Sequence, residues 1–334
     1  TFVSTLRQPV HRTARKLTET ARADPMTTLS PSPLFVVGCP RSGTTFLSSL
    51  LRDSSFGAPF ETQFIIKYLH RLPYYEPLDD IGNFSQLFRA ILRERAIRQR
   101  RVDLDPAKVF ADLDDKSYRA VVDAICFEIS RQRKQDVRSW GDKTPEYTLH
   151  LDSLLSLFPD SRFIYLTRDG RDVALSLMKK SWGPSNVYTC ALMWKDYVEK
   201  KAAFRPLEAD GRALFVRYET LLQDPAAEIV RIYEYLDEPC PQSELERLAA
   251  TTIRSNFDKW KQEMTEGQRE TFERVAADTL RAEGYEVKYD VGPVSTGKTA
   301  RYTAGNWIKS SLHLTRLNIL DPFFQLFGRE PLER

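Results

Sequence analysis

At 334 residues, 42% hydrophobic and 28% charged, the chain has an ordinary globular balance and length enough for one large α/β domain or two small ones. A net charge of +3 is too small to argue for nucleic acid. No apolar run approaches the ~18 residues of a membrane helix, and the first 25 residues hold no apolar signal core.

Residues 1–33 read as a leader. Arg7, His11, Arg12, Arg15, Lys16 and Arg22 charge it, and Pro25, Pro31 and Pro33 break any helix ahead of the first strand. A short amphipathic helix over 10–21 and a mobile tail both remain open.

Residues 34–51, LFVVGCPRSGTTFLSSLL, organise the rest of the chain. Leu34 to Val37 read as a buried strand, Gly38 to Gly43 as a tight loop, and Thr44 onward as a helix start. Such a loop cradles anions, because N–H groups at a helix N-terminus point outward and the helix dipole favours negative charge. The spacing is that of a phosphate loop, but Thr44 stands where a Walker A loop has Lys. The cation here is Arg41, inside the loop. A glycine-bounded turn with no ligand is the plainer alternative.

Phe56 to Phe64 follow as a turn and a brief strand that puts Glu61 at a carboxyl end, where open parallel sheets bind ligands. Glu61 as a helix cap is the alternative. Residues 67–135 read as an inserted helical lid. Phe84, Leu87, Phe88, Ile91 and Leu92 recur at helical spacing, and the same helix carries Arg89, Arg93, Arg95, Arg98, Arg100 and Arg101. That charge run is either a solvated face or a basic wall turned to an acidic substrate. A second helix is predicted over about 115–132, with Tyr118, Val122, Ile125 and Ile129 on one side.

Residues 137–145, VRSWGDKTP, begin as a strand that breaks at Gly141, with Pro145 opening a helix. Lys143 at that junction is a site candidate, a surface lysine being the alternative. Residues 162–167, RFIYLT, make the clearest internal strand and end in Arg168. Ser176 lies eight residues on, so Arg168 and Ser176 are placed to hold a second anion, separate from the first loop. Residues 213–218, ALFVRY, are a fourth strand ending at Tyr218, and Asp224 caps the next helix with Pro225 in its first turn. Strands alternating with helices predict an α/β fold with a mainly parallel sheet flanked by helices in three layers.

A basic loop of Arg254, Lys259 and Lys261 surrounds Trp260. Residues 287–334 read as an extension, loop-like until Trp307 and then apolar with a few basic residues. It either packs on the domain or touches a membrane surface. Cys39, Cys126, Cys190 and Cys240 form no CxxC pair and no metal spacing, which reads as reduced thiols in a cytoplasmic protein, with any peripheral membrane contact made through that tail.

Over residues 34–285 these pieces resemble the sulfotransferase superfamily, which uses 3′-phosphoadenosine 5′-phosphosulfate (PAPS). PRSGTT, Pro40 to Thr45, is similar to its 5′-phosphosulfate loop, and Arg168 with Ser176 to its 3′-phosphate pair. VRYETL, Val216 to Leu221, is similar to a strand-end Tyr-Glu segment whose tyrosine lies by the adenine. DKWK, Asp258 to Lys261, resembles a late stretch that closes on the nucleotide. The resemblance therefore implies PAPS contacts from Arg41, Ser42, Gly43, Thr44, Thr45, Phe46, Arg168, Ser176, Tyr218, Arg254, Trp260 and Lys261. The Lys-Thr-His segment of cytosolic aryl and steroid enzymes is missing. Glu61-Thr62 and Asp142-Lys143-Thr144-Pro145 look instead like the tyrosylprotein and bacterial branches, in which the Glu is the base and the Lys assists. Gln63 departs from the tyrosylprotein pattern, which has Arg there.

The implied activity is transfer of a sulfuryl group to a hydroxyl of a small molecule, glycan or lipid. Glu61, Lys143 and Arg41 carry it, and no metal is needed. A P-loop kinase would need a lysine at Thr44 and an acid for Mg²⁺, and a non-catalytic nucleotide module would have no use for Glu61.

Overall fold

The computed structural model describes residues 32–250, 257–290 and 292–315. The predicted leader up to residue 31, Arg254, and the tail beyond 315 lie outside the described residues. Four strands come together edge to edge: β1 (Leu34–Gly38), β2 (Gly141–Asp142), β3 (Arg162–Thr167) and β4 (Ala213–Arg217). Their order is β2-β1-β3-β4 and every pairing is parallel. Val36 stands opposite Ile164, and Ile164 opposite Leu214.

Because side chains alternate along a strand, one run of apolar residues serves two layers. Phe35, Val37, Phe163 and Tyr165 pack on one side with Trp140, Phe158 and the apolar faces of the helices between residues 65 and 133. Leu34, Val36, Ile164 and Leu166 pack on the other side with α1 (Thr44–Leu50) and the helix Pro225–Tyr235. That last helix starts as its residues predict: the Asp224 side chain accepts from Ala227 N, and Pro225 fills the first position. The result is the three-layer α/β fold expected from the strand and helix alternation.

Several boundaries differ from the sequence reading. The helix over 84–101 is two helices, α2 (Ile81–Leu92) and Arg95–Arg98, separated at Arg93 and Glu94. Asp80, which accepts from Asn83 N, caps α2 three residues earlier than the apolar repeat suggests. The helix predicted over about 115–132 is α3 (Tyr118–Arg133), which begins where Ser117 caps Ala120 N, and a separate short helix, Pro106–Asp112, precedes it. Gly141 starts β2 where a break was expected, because it pairs with Leu34 of β1; an added Cβ there would meet the Pro59 ring at 2.7 Å, and the segment after Pro145 is a 3-10 helix, Pro145–His150.

The C-terminal part differs as well. It is helical from Thr296, where a loop was expected as far as Trp307. The helix α4 (Gly170–Met178) leads from β3 into α5 (Val187–Glu199), against which α6 (Glu266–Ala282) packs through Trp194 and Phe272. The final described helix, α7 (Thr296–Thr315), lies across the N-terminal end of α5. There Asn306 Oδ1 accepts from Ser185 N, Asn186 Nδ2 donates to Tyr302 O, and the rings of Tyr188 and Tyr302 stack. Among the described residues no helix is long and apolar enough to cross a membrane.

Candidate active site

The loop after β1 holds its shape by two close approaches. Gly38 has φ +141°, and a Cβ there would lie 2.3 Å from the Leu166 carbonyl oxygen. Gly43 has φ +102°, and a Cβ there would lie 2.3 Å from the Tyr218 ring. Gly43 is also the N-cap of α1, with no side-chain cap bond. The N–H of Ser42, expected to meet an anion, donates instead to Cys39 O at 3.1 Å and closes the turn. Among the described residues the N–H groups of Gly43, Thr44 and Thr45 have no acceptor, which is the orphan state of a helix start. The loop is anchored from outside by Thr148, whose Oγ1 accepts from Gly38 N at 2.8 Å.

Arg41, itself at φ +75°, donates from Nε to Ser176 Oγ at 3.0 Å. Ser176 thus links α4 to the first loop, where the sequence reading had it paired with Arg168 in a separate site. Arg168 is buried at the end of β3. Its Nη1 donates to Arg41 O at 3.3 Å, its guanidinium lies 4.5 Å from the Tyr218 ring centroid, and Asp172 is 3.7 Å away. Burial raises the Asp172 carboxyl above its ordinary value, and Arg168 offsets part of that rise. The loop after β1 and the end of β3 are therefore joined in one continuous surface. Trp194 supports it from behind, donating from Nε1 to Arg168 O at 3.0 Å.

Glu61 and Lys143 come from segments 82 positions apart. Phe60 bridges to Asp142 at the edge of the sheet, and Lys143 N donates to Phe60 O at 2.8 Å. Asp142 locks this join, accepting from Thr62 N at 3.0 Å, Thr144 N at 2.8 Å and Thr144 Oγ1 at 3.1 Å. Burial pushes its carboxyl up to about 7, against these donors. Tyr147 holds the same turn through Thr62 Oγ1 and Ile65 N. The outcome is a Lys143 ammonium 2.5 Å from Glu61 Oε1 and 3.3 Å from Thr45 Oγ1, bridging carboxylate and loop. Gln63 Nε2 donates to Glu61 Oε2 at 3.3 Å.

Arg41, Gly43, Thr44, Thr45, Glu61, Arg168, Ser176 and Tyr218 line one cleft of about 730 Å³. Lys143 and Glu61 line an adjoining cleft of about 570 Å³. Four sequence candidates line neither. Ser42 is buried, with no partner for its Oγ among the described residues. Phe46 packs against the core below α1. Trp260 is buried with the Arg171 guanidinium 3.6 Å and the Arg269 guanidinium 4.7 Å from its ring. Lys261 pairs with Asp258 at 3.0 Å, and its neighbour Lys259 lines the cleft instead. Thr148, Trp194 and Asp142 escaped the sequence reading as supports, because contacts spanning 110, 26 and 80 positions leave no local pattern. Among the described residues no group of acids, histidines and cysteines is placed to hold a metal.

A loop of this kind, with orphan N–H groups, a guanidinium and a glycine with no room for a Cβ, fits a bound phosphate or sulfate. The comparisons with known proteins agree with it. A family model described as "Sulfotransferase family" matches residues 33–242. The nodulation protein NoeE of Sinorhizobium fredii is 29% identical over 325 residues, covering 82% of this chain and 73% of that protein. A protein-tyrosine sulfotransferase of Drosophila melanogaster is 24% identical over 216 residues, 62% of this chain but 38% of that protein. Among solved structures, the sulfotransferase domain of the Synechococcus PCC 7002 olefin synthase superposes with a TM-score of 0.53 at 19% identity, covering 80% of this chain and 100% of that one, a likeness of fold. The matched segment contains the anion loop, Glu61, Lys143, Arg168, Ser176 and Tyr218, and the chain belongs to the sulfotransferase family.

Proposed function

We propose that the chain transfers a sulfuryl group from PAPS to a hydroxyl of an acceptor, with Glu61 as general base and residues 34–286 as the catalytic unit. The observation that carries this reading is the single ammonium of Lys143 shared between Glu61 and Thr45 of the anion loop. PAPS supplies the activated sulfuryl group. Arg41 and the N–H groups of Gly43, Thr44 and Thr45 hold its 5′ end, Arg168 and Ser176 its 3′-phosphate, and Tyr218 flanks the nucleotide. Lys143 lies where negative charge develops at the leaving oxygen, and a fixed cation there lowers the barrier. Glu61 Oε1 is held by Lys143, so Oε2 is the atom that takes the acceptor's proton. The Gln63 amide, at 3.3 Å, is the contact the acceptor hydroxyl replaces.

The four cysteines are free thiols, which supports the reading of a cytoplasmic protein. The exposed Trp307, Ile308 and Leu312 of α7 support peripheral contact with a membrane. The test of the function is isotope transfer: label from [³⁵S]PAPS reaches acceptors in a cell extract, and the γ-phosphate of ATP does not. Transfer from ATP would restore the kinase reading, and transfer from neither donor would leave a binding module. 3′-Phosphoadenosine 5′-phosphate (PAP) also raises the melting temperature more than AMP does, and equal shifts would remove the 3′-phosphate contact from the site.

A further inference from the structure

The second cleft, of about 570 Å³, meets the first at Thr45 and Glu61. Its walls carry Arg52, Arg100 and Arg133, each from a different segment of the chain, and its one carboxylate is Glu61. Arg100 stands 5.2 Å from the Phe60 ring centroid, and burial lowers its basicity, with Glu61 opposing. Arg133 Nη1 donates to Ala58 O at 3.2 Å. Among the described residues none of these three guanidiniums has a carboxylate within ion-pair distance. Elsewhere the chain pairs its arginines readily: Arg231 with Glu228, Arg269 with Glu273 and Arg274 with Glu270. Gathering three like charges around one cavity is unfavourable unless an anion enters, and a planar guanidinium is matched to an oxyanion.

We propose that the acceptor carries an oxyanion group, a phosphate, sulfate or carboxylate, beside the hydroxyl that is sulfated, and that Arg52, Arg100 and Arg133 hold this group in the second cleft. This rests on the sulfuryl-transfer reading above. The donor surface of Arg41, Arg168 and Ser176 lies in the first cleft, so the three arginines are left for the other reactant. The acceptor then spans from its anion, in the second cleft, to its hydroxyl at Glu61. The break between α2 and the helix Arg95–Arg98 bears on this, since Arg100 follows that short helix and Arg89 precedes the break. The basic run is not one face: Arg100 lines the cleft and the other arginines of 89–101 do not.

Glycerol 3-phosphate, which joins a hydroxyl to a phosphate, is the probe, with glycerol as its neutral control. Calorimetric titration into the PAP-saturated protein is expected to give saturable binding of glycerol 3-phosphate that weakens with salt, and none of glycerol. Arg52→Glu and Arg100→Glu are each expected to weaken it about tenfold or more, the loss of a charge-assisted contact. Arg100→Gln covers the case in which reversal at the Phe60 ring unfolds the protein, and exposed Arg52 offers an independent site. No binding of the phosphate, or binding unchanged in both arginine variants, overturns the proposal. Binding that falls with Lys143→Ala but not with the arginine variants places the probe at the sulfuryl position and overturns it too. Should PAP fail to bind, the donor reading fails by itself. The arginine variants titrated without PAP then still decide whether the second cleft takes the anion.

Discussion

Glu61 and Lys143 are close because Asp142 and Thr62 are. Glu61→Gln keeps the side-chain shape and removes the basic oxygen, so PAP affinity is expected to stay at the parental value while sulfuryl transfer falls at least ~100-fold. Competition binding and isotope transfer on one preparation check both halves, and near-parental transfer would end the assignment of Glu61 as base. Arg168→Ala is expected to weaken PAP binding by about 1.5–3 kcal/mol, the range of a hydrogen bond to a charged group, and AMP binding less. Asp142 gives a pH test. Its carboxyl is raised to about 7 by burial from an ordinary 3.8, so its favourable contribution belongs to the protonated form. That contribution is complete below the ordinary value and is lost as pH rises through about 7. Denaturant unfolding across this window is expected to show stability falling with pH in the parent, and this part of the slope vanishing in Asp142→Asn.

At the scale of elements, the anion loop is held from three sides: by the Leu166 carbonyl on β3, the Tyr218 ring after β4, and Thr148 of the 3-10 helix. Gly38→Ala meets backbone at 2.3 Å, which cannot swing aside as a side chain can. With its left-handed φ, the change is expected to cost on the order of 1–3 kcal/mol and to abolish PAP binding. A thermal melt with and without PAP measures both, and a parental response would show that the loop can relax. α7 is tied to the cleft rim: Lys309 Nζ donates to Lys180 O at 2.7 Å, and His313 lines the cleft. Lys309→Ala is therefore expected to speed amide hydrogen exchange over 180–186 while leaving β1 and β3 protected. Uniform exchange across both regions would separate α7 from the rim.

Across the whole molecule, much of the architecture was legible because it is written in short periods. The apolar runs at 34–37 and 162–167 are strands that the sheet buries almost wholly on both faces, 213–217 is a partly buried edge strand, and a short run of apolar residues suffices to find all three. The anion loop and the positions of Glu61 and Lys143 at strand ends were legible for the same reason, each being a local junction. The two-residue strand Gly141–Asp142 was placed on the wrong side of its glycine. Its pairing comes from β1, a hundred residues away, and from nothing in its own composition. Trp260 reads as a ligand contact in sequence, yet it is enclosed by Arg171 and Arg269, and those contacts depend on how α4 and α6 pack. The sequence by itself determined the layered α/β class, the anion loop and the residue types at the ends of its strands, because these follow from hydrophobic periodicity and glycine conformation. Only the tertiary structure decided that Arg41 and Ser176 share a hydrogen bond, that Lys143 joins Glu61 to Thr45, and that Arg52, Arg100 and Arg133 face one cleft. Such contacts join residues tens to more than a hundred positions apart, and it is the parallel sheet, by fixing which strand ends are neighbours, that brings them within reach.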